Sequence, residues 1–321
     1  MAFSVLLPVL LALVANAEPG SAYNLRPTIG ILSQEPTDDI LDLLEDKNYT
    51  SYIAASYVKY VEGSGARAVP ILINQDDSYY EKMASSVNGI ILPGGSVSIT
   101  NSSAYGLAAQ KVYEHVVKAN KEGIILPLWG TCLGFEIITY LGANYENWLE
   151  GCLARNKADK LTLQIGFMDS RIFDQMPHYV IDYVSLWKTT VNFHDWCITP
   201  ENFTKSGLIE DFKILATSFD YNDLEYVALI EHNEMPIFGS QFHPEKNPYE
   251  WANDKEHSAI PHDPFSVGVA HYFSNFFVNQ ARYNNQHFAT KKEENEALIY
   301  NHDTTFTGEL GSGFTECYFF R

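Results

Sequence analysis

The stretch at residues 124–141 constrains the fold more than any other part of the chain. It opens with the apolar run Ile-Ile-Leu-Pro-Leu-Trp, which has the length of a buried strand. It breaks at Gly-Thr-Cys-Leu-Gly, residues 130–134, and continues with apolar residues at helical spacing. A strand, a tight Gly-x-Cys-x-Gly turn and a helix predict a nucleophile elbow that exposes Cys132 at the strand end. A buried structural cysteine between two turn glycines is the alternative that this pentapeptide leaves open.

The helix predicted after the turn also affects the chemistry of Cys132. A helix N-terminus carries a partial positive charge, which favours a thiolate over a thiol. If Cys132 is a nucleophile, we therefore expect its position to help it ionise.

Short apolar runs alternate with helical patterns through the first half of the chain. Strands are predicted at residues 27–32, 66–72, 89–93 and 124–129, and helices at 52–62, 79–87 and 105–119. This alternation is typical of a three-layer α/β fold with a doubly wound, mostly parallel sheet. Catalytic groups in such sheets gather at the carboxyl ends of the strands. Gly94, Gly95 and Cys132 each follow a predicted strand, so we expect them to share a crevice.

The second half of the chain is less regular. Strand-like runs occur at residues 179–181, 212–216, 224–230 and 235–242. Asp263 and Pro264 form a favourable N-cap and first-turn pair for a helix that extends to about residue 283. Its predicted buried face consists of Val267, Ala270, Phe273 and Phe277. No change in composition marks a linker, so we expect a single domain over residues 18–321.

The N-terminus has the pattern of a secretory signal. Residues 1–17 contain an apolar h-region and end in the cleavage pattern Ala-Asn-Ala, although no Lys or Arg precedes the h-region. A membrane anchor is the alternative, but the run is too short to span a bilayer. Asn48, Asn101 and Asn202 each begin an Asn-x-Ser/Thr site. Together these features predict a glycoprotein that is secreted or delivered to lysosomes, with no membrane partner.

Charge and cysteine content exclude several classes of protein. The formal net charge is −19, which argues against a nucleic-acid partner and requires a local positive pocket for any anionic substrate. Arg67 is a candidate for this cation. The four cysteines make neither a disulfide framework nor a zinc motif, so no metal or other cofactor is expected. If Cys132 is free, at least one other cysteine is unpaired or bonds another chain.

A catalytic cysteine needs a base, which is often distant in the sequence. Of the ten histidines, His243 is distinctive because it ends an apolar strand. Pro244 prevents that strand from continuing, and Glu245 lies within reach to orient the imidazole, as the third member of a catalytic triad does. Cys132, His243 and Glu245 are therefore the predicted catalytic residues.

These motifs resemble the class I glutamine amidotransferase-like superfamily and, more closely, its gamma-glutamyl hydrolase family. The matching segments extend over nearly the whole chain after the signal; they are residues 92–95, 129–136, 192–194, 243–246 and 248–251. The amidotransferases usually have Gln where this chain has Glu136. Together with the lack of a synthase domain, this difference favours simple hydrolysis over ammonia transfer.

The resemblance implies a role for each matched residue. Cys132 would be the nucleophile and His243 the general acid and base, while the backbone N–H groups of Gly95 and Leu133 would hold the oxyanion. Substrate contacts are implied for Gly94, Glu136 and His194. Two of these have ordinary alternatives: His194 as a histidine packed beside Trp196, and Glu136 as a carboxylate stabilised by the helix dipole.

The implied reaction is cysteine-dependent hydrolysis of poly-γ-glutamyl folates through a thioester. It would be carried out by a lysosomal or secreted homodimer without a cofactor. Hydrolysis of other γ-glutamyl amides is an alternative, and so is a binding module that has lost activity.

Overall fold

The computed structural model describes residues 23–252 and 254–321. The predicted signal segment at residues 1–17 therefore lies outside the described residues. No helix in the described part of the chain is both long and apolar enough to cross a membrane.

The described part of the chain contains fifteen β-strands. They are β1 Thr28–Leu32, β2 Ser51–Ala54, β3 Arg67–Ile71, β4 Gly89–Leu92, β5 Leu128–Thr131, β6 Glu150–Gly151, β7 Lys157–Asp159, β8 Thr162–Leu163, β9 Thr190–Asn192, β10 Trp196–Cys197, β11 Phe212–Phe219, β12 Glu225–His232, β13 Ile237–Ser240, β14 Thr304–Thr305 and β15 Cys317–Phe320.

The α-helices lie between these strands. They are α1 Asp38–Asp42, α2 Ala55–Glu62, α3 Asp77–Ala84, α4 Ala104–Lys121, α5 Leu133–Gly142, α6 Arg171–Asp174, α7 His178–Leu186, α8 Pro200–Lys205, α9 Leu208–Asp211, α10 Lys246–Tyr249, α11 Pro264–Ala281 and α12 Lys291–Ala297. Three short 3₁₀ helices cover Phe167–Asp169, Ile299–Asn301 and Thr307–Leu310.

The central sheet has eight strands in the order β3-β1-β4-β5-β13-β12-β11-β8. The first five are parallel, and the last three continue the sheet in antiparallel fashion. The carboxyl ends of β4, β5 and β13 lie side by side, because Leu92 pairs with Gly130 and Thr131 pairs with Ser240. The predicted mostly parallel α/β sheet is confirmed.

Side chains alternate between the two faces of this sheet, and each face has its own apolar core. Ile91 and Trp129 belong to a core shared with α2, α7 and α11, whereas Ile90 and Leu128 belong to a core shared with α3, α4 and α5. A sheet that is buried on both faces requires apolar runs of the kind seen in the sequence. The three-layer arrangement follows from this double burial.

Two predicted elements were wrong because long-range pairing or packing overrides the local pattern. The helix predicted from residue 52 begins only at Ala55, since residues 52–54 belong to β2 and pair with the C-terminal strand β15. Residues 179–181 lie in helix α7 rather than in a strand, with Val180 buried among other core side chains. Both sequences are rich in β-branched and aromatic residues, which do not by themselves separate the two structures.

The strand predicted at residues 124–129 is shifted toward the C-terminus. Ile124 and Ile125 are exposed, and β5 begins only at Leu128. The helix predicted after Asp263 is confirmed, with the Asp263 side chain accepting hydrogen bonds from the N–H groups of Phe265 and Ser266. Its buried face includes Ala270, Phe273 and Phe277, but Val267 is only half-buried.

Candidate active site

The turn between β5 and α5 has the geometry of a nucleophile elbow. Cys132 has φ 51° and ψ −108°, a backbone conformation that is strained for a residue with a Cβ atom. Small neighbours are required on both sides: a Cβ at Gly130 would collide with the carbonyl of Gly134, and a Cβ at Gly134 would collide with the carbonyl of Leu92. The predicted turn is confirmed, but Cys132 is buried, with only 3% of its surface exposed.

The carboxyl ends of three neighbouring strands bring the predicted residues together. Gly94 follows β4, Cys132 follows β5 and His243 follows β13. A Cβ atom at Gly94 would lie 2.6 Å from Cε1 of His243 and 3.2 Å from Cβ of Cys132. Residues that are far apart in the sequence thus meet at one point.

His243 and Glu245 form a buried hydrogen-bonded pair. Nδ1 of His243 lies 2.7 Å from Oε1 of Glu245. Burial by itself raises the pKa of Glu245, but the adjacent His243 brings that pKa below its ordinary value. The ionised carboxylate only accepts hydrogen bonds, so it selects the tautomer of His243 with a proton on Nδ1. Nε2 is then the nitrogen that remains for proton transfer, as in a catalytic triad.

The resting state of Cys132 differs from the expectation drawn from the sequence. Burial raises the pKa of the Cys132 thiol well above its ordinary value, and the carboxyl groups of Glu136 and Glu245 raise it further. The Leu133 N–H at the helix N-terminus and the charge of Lys246 oppose this rise without reversing it. Burial also lowers the pKa of His243. These shifts favour a neutral thiol and a neutral imidazole, not the thiolate that the helix N-terminus was expected to favour.

Two backbone N–H groups beside Cys132 remain available to an incoming ligand. The N–H of Gly95 has no acceptor among the described residues, and the N–H of Leu133 faces the sulfur of Cys132. The preceding Gly94 is fixed on both sides: its N–H donates to Oη of Tyr57 at 2.7 Å, and its carbonyl accepts from Nε2 of Gln34 at 2.7 Å. The turn that carries the predicted oxyanion donor is therefore rigidly held.

Tyr57 and Gln34 were not identified from the sequence as contributors to this site. Tyr57 lies within the helix predicted over residues 52–62, where it belongs to no motif. Gln34 lies just beyond β1 in a segment without a motif. No local signal points to either side chain, because each acts through a turn at a distant position in the sequence.

The C-terminal segment contacts the residues that follow His243 and Glu245. Lys246 is buried, and its Nζ lies 5.2 Å from the ring centre of Phe193 and 4.7 Å from that of Phe314. The N–H of Thr315 donates to Oε2 of the buried Glu250 at 2.6 Å. The aromatic C-terminal tail therefore packs against the segment that follows His243.

A cavity of about 320 Å³ opens beside Cys132. Residues 95–100 form one wall and residues 193–196 another, with Leu133, Glu136, Asn147, Leu149 and Arg155 completing the lining. Glu136 is buried and accepts a hydrogen bond from Nε2 of Gln241 at 3.0 Å. Burial raises the pKa of Glu136 to about 8. The carboxyl group nearest the elbow in sequence is therefore neutral at acid pH.

His194 lines the cavity and is also packed tightly. Its Nδ1 lies 3.5 Å from Sγ of Cys152 and 3.4 Å from Sγ of Cys197, and its ring packs edge-on against Tyr226. Trp196, the neighbour considered in the alternative interpretation, is exposed. Burial lowers the pKa of His194 to about 3, so the ring is neutral over most of the pH range. A substrate contact at His194 stays a prediction.

Cys152 and Cys197 form a disulfide, and Cys132 and Cys317 are free and buried. Together with His194, the two bonded sulfurs make a close group of three potential metal ligands. Because the sulfurs are bonded to each other, they are not available as thiolates, which are the form that binds metals.

Arg67 and the three predicted glycosylation sites do not line this cavity. Arg67 is located at the amino end of β3, the opposite edge of the sheet, where it pairs with Glu294. It was therefore wrong as a candidate substrate partner. Asn48 and Asn101 are exposed, whereas the Asn202 amide is half-buried and donates hydrogen bonds. Glycosylation at all three stays a prediction.

Comparisons with known proteins identify clear relatives. The family model described as Peptidase C26 matches residues 27–245. Gamma-glutamyl hydrolase of Homo sapiens is 38% identical over 297 residues, which cover 92% of this chain and 90% of the human protein. Gamma-glutamyl hydrolase B of Dictyostelium discoideum is 35% identical and covers 93% of this chain and 84% of its own.

Solved structures show a more distant likeness. A GMP synthase component from Thermoplasma acidophilum superposes with a TM-score of 0.45 at 16% identity, covering 80% of this chain and 95% of its own.

Proposed function

The chain belongs to the gamma-glutamyl hydrolase family of C26 peptidases, and on this premise we propose that it hydrolyses γ-glutamyl amide bonds in poly-γ-glutamyl folates. The family membership makes it an enzyme of the cysteine peptidase type. We further propose that it acts after secretion or in lysosomes, as a homodimer and without a cofactor.

One observation carries the proposal: the buried Cys132, held at a strained turn, lies beside Gly94 and the His243–Glu245 pair. This arrangement supplies a nucleophile, a base and a group that orients the base, which is the set that acyl transfer requires. The cavity beside Cys132 provides the space for a γ-glutamyl chain.

The first half of the reaction forms a thioester. Sγ of Cys132 attacks the γ-carbonyl carbon while Nε2 of His243 takes the thiol proton, since both groups are neutral in the resting site. The N–H groups of Gly95 and Leu133 donate to the oxyanion, and each such donor contributes roughly 3 kcal/mol. His243 then gives its proton to the leaving amine, and the C–N bond breaks.

The second half of the reaction releases the acyl group. A water molecule gives a proton to Nε2 of His243 and attacks the thioester carbonyl. The C–S bond then breaks, and the proton returns from His243 to the sulfur. The products are a carboxylic acid and the free thiol of Cys132.

An acid compartment suits this site. With a pKa of about 8, Glu136 is protonated at neutral as well as acid pH, so in an acid compartment it places no negative charge beside the anionic substrate. A neutral Glu136 also removes one of the charges that oppose ionisation of Cys132.

The decisive experiment compares Cys132→Ala with Cys317→Ala, the same substitution at the other free, buried cysteine. We expect Cys132→Ala to abolish release of glutamate from a folyl tri-γ-glutamate, while Cys317→Ala retains turnover. Mass spectrometry of acid-quenched wild-type enzyme should show an acyl adduct on the peptide that contains Cys132. Full turnover by folded Cys132→Ala would refute the mechanism.

Two further comparisons separate the alternatives. Faster hydrolysis of small γ-glutamyl amines than of folate-linked chains would identify a different substrate class. A wild-type protein that binds folyl tri-γ-glutamate but releases no glutamate would support a binding module instead.

A further inference from the structure

The lining of the active-site cavity contains a single Lys or Arg side chain, that of Arg155. The whole chain has a formal net charge of −19, so it does not attract anions in general. A poly-γ-glutamyl chain carries a free α-carboxylate on every residue. Recognition of these carboxylates therefore requires a local cation, and Arg155 is the one that the cavity provides.

Arg155 is held in place by two chain segments that are tied together. The N–H of Cys152 donates to the carbonyl of Asp195 at 2.9 Å, and the N–H of Ala154 donates to the carbonyl of His194 at 3.2 Å. The Cys152–Cys197 disulfide links the same two segments. Arg155 directly follows these cross-linked segments, so its backbone position is fixed even though its side chain is exposed.

The guanidinium of Arg155 is only partly used within the protein. Its Nε donates to Oδ2 of Asp195 at 2.6 Å, while Nη1 and Nη2 have no acceptor among the described residues. The side chains of Arg155 and Asp195 are 67% and 42% exposed. Exposed ion pairs of this kind are weak, so an incoming carboxylate can compete with Asp195 for the guanidinium.

The remaining groups on the cavity lining are compatible with an anion. The lining residues 95–100 include the hydroxyl-bearing side chains of Ser96, Ser98 and Thr100. The two carboxyl groups on the lining are Glu136, which is buried, and Asp195, which already faces Arg155. A planar guanidinium binds a carboxylate through two parallel hydrogen bonds, which makes the contact selective as well as attractive.

We propose that Arg155 binds a free α-carboxylate of the γ-glutamyl chain, in exchange for Asp195, and so selects γ-linked over α-linked or α-amidated glutamyl substrates. This inference rests on the proposed function, since it assigns a recognition residue to the same cavity. Arg155 is a binding residue here and takes no part in bond making or breaking.

The test measures KM and kcat for Arg155→Gln on two matched substrates: a γ-glutamyl tripeptide with free α-carboxylates and its α-carboxamide counterpart. Loss of a charged hydrogen bond should raise KM for the free acid by roughly 10- to 100-fold, with kcat changed by about twofold or less. The carboxamide should show no such change. Arg155→Lys should fall between wild type and Arg155→Gln, because it keeps the charge but not the planar fork.

Two further variants complete the test, the first of them as a control. Lys188→Gln removes one positive charge from an exposed position outside the cavity lining, and we expect it to leave KM for both substrates unchanged. Asp195→Asn removes the competing carboxylate, so KM for the free acid should fall. Thermal unfolding of each variant will establish that it is folded.

Equal effects of Arg155→Gln on the two substrates, or a loss confined to kcat, would overturn the role of Arg155. Failure of the proposed function gives a different result, because wild-type enzyme would then hydrolyse neither γ-glutamyl substrate. In that case, calorimetric titration of an oligo-γ-glutamate into Cys132→Ala and into the Cys132→Ala/Arg155→Gln double variant decides the inference. Equal affinities would refute it, and weaker binding to the double variant would support it.

Discussion

A Cβ atom at Gly94 would lie 2.6 Å from Cε1 of His243, closer than real Cβ contacts allow. The same atom would lie 3.0 Å from Oη of Tyr57 and 3.2 Å from Cβ of Cys132. A side chain at Gly94 is excluded because His243 occupies that space. We expect Gly94→Ala to displace His243 and to lower kcat/KM by roughly 100-fold or more, as small misplacements of catalytic groups do.

Gly268→Ala is the matched control for this substitution. A Cβ at Gly268 would meet no atom within 4 Å, and the residue lies inside helix α11. We expect full activity and a gain of about 0.5 to 1 kcal/mol in the free energy of unfolding, because alanine is the better helix former. Comparable activity in the two alanine variants would show that close packing at Gly94 is not required.

The local part of the site was predictable from the sequence. The elbow at residues 130–134 is identifiable because a sharp turn needs small residues at fixed spacing, and this requirement is met within five positions. His243 and Glu245 were identifiable because they directly follow an apolar strand. The fold class followed from the alternation of strands and helices, which is a property of neighbouring residues.

What the sequence did not reveal depends on distant contacts. The hydrogen bonds of Tyr57 and Gln34 to Gly94 bridge 37 and 60 positions, and no pattern within their own segments indicates them. The pKa of Cys132 could not be inferred from the helix N-terminus alone, because burial and two carboxyl groups outweigh it. The pairing of Cys152 with Cys197 likewise depends on the tertiary fold.

Glu245→Gln should keep the shape of the catalytic pair but remove its charge. Glutamine lacks the negative charge that stabilises a protonated His243. Its amide can also donate to Nδ1 and so favour the tautomer of His243 with its proton on Nε2. We expect kcat to fall by roughly 10³- to 10⁴-fold with little change in KM, by comparison with the effect of the equivalent change in a catalytic triad. Steady-state kinetics at several substrate concentrations will separate the two constants.

Glu201→Gln provides the same chemical change at an exposed position in helix α8, where we expect no effect on kcat. If Glu245→Gln is folded and retains at least half of the wild-type kcat, the carboxylate does not orient or stabilise His243.

Glu136 makes the stability of the fold depend on pH. Its pKa is raised by burial from 4.5 to about 8, so the folded protein keeps this proton where the unfolded chain has released it. The contribution of Glu136 to the free energy of unfolding is therefore fully present below pH 4.5 and is lost as the pH rises toward 8. Each unit of difference between the folded and unfolded pKa corresponds to about 1.4 kcal/mol, so the full loss of stability amounts to several kcal/mol.

Glu136→Gln removes this titration and keeps an acceptor for Gln241. We expect the variant to gain Tm relative to wild type as the pH rises from 4.5 to 8, while Glu122→Gln, at an exposed position, follows wild type throughout. Differential scanning calorimetry at four pH values will measure the trend. If the difference in Tm between Glu136→Gln and wild type is the same at all four pH values, Glu136 does not titrate in this range.

The three Asn-x-Ser/Thr sites should differ in glycan occupancy. Asn48 and Asn101 are exposed, and Nδ2 of Asn48 donates to the neighbouring Asp46 at 2.8 Å. Nδ2 of the half-buried Asn202 instead donates to two distant groups, the carbonyl of Trp148 at 3.2 Å and Oε1 of Glu150 at 3.0 Å. A glycan on Asn202 would have to break this network in helix α8. In protein secreted from eukaryotic cells, peptide mass spectrometry should find glycans at Asn48 and Asn101 and an unmodified Asn202.

Asn48→Gln and Asn101→Gln should each remove one glycan from the intact mass, and Asn202→Gln should remove none. Occupancy of Asn202 would mean that modification precedes the folding of this region. Absence of all glycans from the secreted protein would refute the predicted modification.

The Cys152–Cys197 disulfide should be the one bond of its kind among the four cysteines. Denatured wild-type protein should therefore contain two reactive thiols before reduction and four after it. The two bonded cysteines are 45 positions apart, and closing a loop of that length restricts the unfolded chain by about 4 kcal/mol in the chain-entropy estimate. Thiol titration in denaturant will count the free groups.

A variant without the disulfide is the control for its effect on stability, because a reductant can cleave the bond only where it exists. We expect dithiothreitol to lower the free energy of unfolding of the wild type by about 2 to 4 kcal/mol and to leave the Cys152→Ala/Cys197→Ala double variant unchanged. The same treatment should raise KM for a γ-glutamyl substrate in the wild type, since the disulfide links the segments that carry Arg155 and Asp195. Four reactive thiols before reduction would contradict the pairing itself, and an unchanged KM after complete reduction would show that hydrogen bonds alone fix these segments.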